Sequence, residues 1–140
     1  AIWRDVLKVK DAERIGDYSK NIWDIANGGV DLSDAADLDV LMSYRDRISK
    51  LIAETARVFG EKDTEAAHAI LKRSDETTDE YDRLVGELLH ADLPAHEAVP
   101  RALLYRYFKR ITAHLMNILT SLVMPIDRLD YYDEDKADRE

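Results

Sequence analysis

Residues 33–60, SDAADLDVLMSYRDRISKLIAETARVFG, decide the fold class. Leu38, Leu41, Ile48, Leu51, Ile52, Thr55, Val58 and Phe59 recur at the spacing of one helix face, with charged residues between them. Ser33 is a candidate N-cap and Gly60 a stop, so the stretch predicts one long amphipathic helix. The same pattern repeats on either side. Upstream, Trp3, Val6, Leu7, Ile15, Ile22, Ile25 and Ala26 form a helical stripe that ends at the paired glycines of ANGG, 26–29. Downstream, a stripe of Ala67, Ile70, Leu71, Thr78, Tyr81, Leu84, Val85 and Leu88 begins near Asp63 or Thr64 and is closed by HADLPAH, 90–96. A fourth, of Leu103, Leu104, Tyr107, Ile111, Leu115, Ile118, Leu119 and Leu122, starts around Ala95 to Pro100 and runs to Pro125. No segment alternates as a strand would. The expectation is an all-α protein: an antiparallel up-down bundle of four long helices near 2–27, 33–59, 63–91 and 97–124, closed around one core. Connections of a few residues make sequential helices antiparallel neighbours.

The chain has 140 residues, of which 46% are hydrophobic and 35% charged, and it contains no cysteine. One domain of this length buries enough surface to fold without staples. The bundle is expected over 1–126 and an acidic tail over 127–140, where seven acids face three bases and fraying is expected after Tyr132. A net charge of −9 argues against nucleic acid and anionic membranes as partners, since both attract positive charge. The longest mostly apolar run, Leu115 to Ile126, is too short to span a bilayer and carries Asn117. The opening AIWRDVLKVKDAE is charged and lacks an apolar secretory stretch. A cytoplasmic protein without membrane insertion is expected.

Without thiolates, any metal must sit on carboxylates or histidines. Glu13 and Asp17 are four residues apart, stacked on one helix face, and Asn21 extends the line by a turn. Such an oxygen ladder suits a divalent cation, and a solvated polar face accounts for it equally simply. Asp75 and Asp79 repeat the spacing on the third helix, bracketed by Lys72, Arg73 and Arg83. The four histidines fall in no metal-site pattern, and His114, next to apolar Leu115, reads as a hydrogen-bonded, partly buried side chain. No nucleophile elbow or glycine-rich phosphate loop is present, so an enzyme is not expected. Residues 98–126 hold Arg101, Arg106, Lys109 and Arg110 and no acid. These cations either dock on acid-rich neighbouring helices or contact an anion.

The string DAERIGDYSKNIWDIA, 11–26, resembles the PhoU family of phosphate-uptake regulators, whose helices carry a motif of the type E-R-I-G-D-x-x-x-N-I. Glu13, Arg14, Ile15, Gly16, Asp17, Asn21 and Ile22 fall on motif positions. The third helix is similar to the family's acidic helix through Asp75 and Asp79. FKRITAHLMNIL, 108–119, resembles a second copy in which Arg110, Ile111, Asn117 and Ile118 match Arg14, Ile15, Asn21 and Ile22, while Lys109 and Ala113 replace the carboxylate pair. The resemblance implies a PhoU-like regulatory or accessory protein of phosphate uptake. It would contact a phosphate transporter or its signalling kinase and weakly bind one divalent metal or iron ion through Glu13 and Asp17, with Asp75 and Asp79 as further ligands. Independently of the resemblance, Trp3, Trp23, Ile22 and Ile25 place apolar residues on more than one face of the first helix, which predicts a helix only partly covered within one chain and self-association through it. The alternative is a non-catalytic helical assembly module in which Arg14, Gly16, Asn21, Arg110 and Asn117 serve packing alone, Gly16 permitting close helix approach and Arg14 pairing with acids of helix three.

Overall fold

The computed structural model describes the backbone of residues 2–124 and the side chains of residues 8–124. The acidic tail expected over 127–140 and the side chains of Trp3, Val6 and Leu7 lie outside the described residues. Four helices form: α1 (Ile2–Asn27), α2 (Leu38–Glu61), α3 (Thr64–Leu89) and α4 (Ala95–Val123). They make an all-α bundle, with no strand among the described residues. No helix among those residues is long and apolar enough to cross a membrane.

The helix ends show which local signals prevailed. α1 stops at the paired glycines, where Gly29 takes φ 93°, a left-handed conformation that a side chain would oppose. α2 begins at Leu38 and not at Ser33, because the Ser33 N–H donates to Asp31 Oδ1 at 2.9 Å and a local turn replaces the cap. Asp37 occupies the cap position, yet its carboxylate makes no cap bond. Both its oxygens instead accept from the Arg101 guanidinium, each at 2.8 Å. At the other end the helix runs through Gly60 to Glu61, and Lys62 turns left-handed at φ 54°. The Lys62 and Asp63 N–H groups then close on the Phe59 and Val58 carbonyls, at 3.3 and 3.1 Å. Asp63 caps α3 by accepting from the Ala66 N–H at 3.0 Å.

Cross-helix pairs give the relative directions. Arg47 and Glu54 of α2 pair with Glu80 and Arg73 of α3, so numbers rise on one helix as they fall on the other. Asp11 and Tyr18 of α1 likewise meet His114 and Tyr107 of α4.

The expectation that four helices close around one core needs correcting: the buried side chains form two clusters joined through α4. α4 packs against all three others, whereas α1 rests chiefly on α4 and the α2–α3 contact is narrow. α4 supplies Tyr105, Phe108, Ile111 and Leu115 to one apolar cluster, shared with Leu41, Tyr44, Ile48 and Tyr81. It also supplies Met116 and Leu119 to a second, shared with Val58, Ala67, Ile70 and Leu71. Such side chains contribute roughly 1.5–3 kcal/mol each when fully buried, so the helix present in both clusters dominates the stability. Its acid-free stretch explains why it can be enclosed: no carboxylate there has to reach water.

Candidate functional site

α1 buries a single side chain among its described residues, and that side chain is a carboxylate. Asp11 is 3% exposed and lies on the same helix face as Ile15, Tyr18 and Ile22, which pack on the first cluster. A carboxylate there must be hydrogen-bonded. His114 Nδ1 donates to its Oδ1 at 2.7 Å and Asn117 Nδ2 at 3.3 Å, both from α4. Because an ionised carboxylate only accepts, the proton belongs on Nδ1, which fixes the ring orientation. Tyr18 stacks on the His114 ring with centroids 5.8 Å apart and planes 23° apart, and it also meets Tyr107 at 6.0 Å. The knot holds α1 to α4. His114 is therefore the hydrogen-bonded, partly buried residue expected, and the buried Asn117 lies beside it on the same carboxylate. Asp11 was not among the sequence candidates. The signal for it was an acid four residues before Ile15, on the apolar stripe itself.

The acids expected to hold a metal stand elsewhere. Glu13 and Asp17 lie on the exposed side of α1, Asp79 is exposed on α3, and Asp75 is half-buried there. No three Asp, Glu or His side chains among the described residues converge on a common point. The described residues thus do not form a closed ligand set for a divalent cation, which wants about six oxygens. In the register set by Lys109 with Asp82 and Phe108 with Tyr81, Asp79 is level with Arg110.

The remaining motif residues divide in two. Asn21, Ile15 and Ile22 are half-buried, while Arg14, Gly16 and Asp17 are exposed. A Cβ built on Gly16 meets nothing within 4 Å among the described residues. Arg110 is half-buried on α4.

Arg101 and Lys109 of α4 dock on acidic neighbours. Arg101 binds Asp37 as described, and Lys109 Nζ lies 2.7 Å from both oxygens of Asp82. The Arg101 guanidinium holds the Asp37 carboxyl below the usual carboxylate range. Between α2 and α3, Tyr44 donates to Glu80 Oε1 at 2.7 Å and Arg47 to Glu80 Oε2 at 3.3 Å. Burial and the Glu80 carboxylate push the Tyr44 phenol up to about 12, so the hydroxyl keeps its proton and remains the donor. A cavity of about 590 Å³ opens beside these residues, and Tyr81, fully buried, lines it.

On the opposite side an apolar groove of about 450 Å³ separates α1 from α2, walled by Ala12, Ile15, Ile52 and Phe59 and floored by Leu115 and Ile118 of α4. The Lys8 ammonium sits 4.5 Å from the centroid of the Phe59 ring at its end. Val9 and Trp23 of α1 remain 66% and 63% exposed, as expected of a helix only partly covered. The chain matches no family model, no curated protein and no solved structure.

Proposed function

We propose that the chain is a PhoU-like regulatory or accessory protein of phosphate uptake that works without catalysis, by contact between α1 and a partner protein. The partner suggested by the motif resemblance is a phosphate transporter or its signalling kinase. One observation carries the reading. Of the motif residues, Ile15 and Ile22 pack on the core and Asn21 is half-buried, while Arg14 and Asp17 are exposed on α1. A motif whose charged half is unused by the fold has that half available for recognition from outside.

The test is a charge-reversed pair, Arg14→Glu with Asp17→Lys, in the full chain. Transporter subunits and the kinase are captured on the purified chain from phosphate-limited cells, beside the unaltered protein. The expected result is capture by the unaltered chain, at least tenfold less by the variant, and unchanged far-UV circular dichroism. Equal capture by both, or capture by neither, overturns the proposal.

A further inference from the structure

A glycine inside an exposed helix costs about 1 kcal/mol relative to alanine. Gly16 sits in the middle of α1, and a Cβ built on it meets nothing within 4 Å among the described residues. No contact among those residues explains the glycine. At about 100° per residue, Val9, Ala12, Gly16 and Trp23 lie within about 60° of one another around α1. That direction is well away from Asp11, Ile15, Tyr18 and Ile22, which face α4. All four are exposed, two of them large and apolar.

The order of these residues is what selects an occupant. Val9 is seven residues before Gly16 and Trp23 seven after it. A second α1 laid antiparallel, with Gly16 against Gly16, therefore sets each Val9 against the other copy's Trp23. The charges along one edge of the stripe follow the same symmetry. Glu13 precedes Gly16 by three and Lys20 follows it by four. A two-fold axis perpendicular to both helices keeps that edge on the same side, so Glu13 of each copy lies level with the other's Lys20 to within about 1.5 Å of rise. Asp17, the potential like-charge clash at the centre, points about 100° away from Gly16 and clears the contact.

We propose that the chain forms a two-fold dimer through α1, crossing at Gly16, with Val9 packed on the partner copy's Trp23 and Glu13 paired with its Lys20. Gly16 lets the two backbones approach closely, and the isologous arrangement closes after two copies. The surface is separate from Arg14 and Asp17, so the dimer stands or falls independently of the proposed function.

Sedimentation equilibrium of the full 140-residue chain, from about 1 to 100 μM, is expected to show a monomer–dimer equilibrium. Trp23→Glu should weaken it at least tenfold. Glu13→Lys and Lys20→Glu should each weaken it, and the two together should restore it to within about threefold, a pattern that only a cross-copy pair yields. Gly16→Cys gives the otherwise cysteine-free chain one thiol, which should oxidise to a linked dimer, whereas the exposed Ser49→Cys on α2 should not. A chain monomeric throughout the range overturns the proposal. So does a dimer that is indifferent to Trp23→Glu and the charge swap, or one in which Gly16→Cys fails to cross-link; because all these positions are exposed, loss of folding would not mimic either result.

Discussion

The Asp11 carboxylate governs the seam between α1 and α4, because it is buried and, among the described residues, is held by His114 and Asn117. Removing one partner leaves most of the desolvation penalty uncompensated, which makes a buried polar pair costlier to break than it is stabilising when intact. His114→Ala is expected to lower the unfolding free energy by about 2–3 kcal/mol, and Asn117→Ala by less, since its 3.3 Å bond is longer. Urea denaturation followed by circular dichroism checks both, and equal, small losses would mean that the knot contributes little. At this scale the sequence was partly legible. His114 is legible from its apolar neighbour Leu115, whereas the i, i+4 spacing that marks Glu13 and Asp17 does not mark Asp11 at the start of the motif string. The distinguishing information was the helical phase: Asp11 is four and seven residues from Ile15 and Tyr18, and Glu13 is on another face.

Among the elements, α2 shows why a boundary can escape local reading. Its first turn lacks a side-chain cap because of Arg101, which lies 64 residues away and takes the Asp37 carboxylate that would otherwise cap the helix. No local signal around Ser33 reveals that bond. α4, by contrast, was legible in its length and in the docking of Arg101 and Lys109 on acids. The Asp37–Arg101 pair also sets a pH dependence. The folded-state pKa of Asp37 lies below its ordinary value of 3.8, so the pair's stabilisation is fully present above that value and is lost as pH falls through the lower, folded value. Asp37 is partly exposed and screened, and the pair is expected to contribute about 1 kcal/mol. Unfolding of the unaltered chain and of Asp37→Asn should therefore differ by that amount at neutral pH and converge below about pH 4. A difference that persisted at acid pH would assign the effect to shape and not to charge.

For the whole molecule, fold class and helix number followed from periodicity, but the central place of α4 did not. Each stripe reports that a face is buried and is silent about which helix buries it. The acid-free run from 98 to 126 was the one hint. This arrangement grades stability across the molecule. α1 rests mainly on α4, so it can open while the other three helices remain packed, and opening α4 exposes both clusters. Amide hydrogen exchange of the monomer is expected to be at least tenfold faster in the middle of α1 than in the middle of α4; equal rates would mean that the bundle opens only as a unit. The order of synthesis gives the same arrangement another meaning. The first three helices leave the ribosome before the helix that both clusters need, and at about 5–20 residues per second the chain waits several seconds between Leu89 and Val123. During that interval the faces of α2 and α3 that later meet Tyr105, Phe108 and Met116 lack their α4 cover, so the nascent chain is at its stickiest just before α4 emerges, and a stop codon ahead of Tyr105 would release a chain without the α4 half of either cluster.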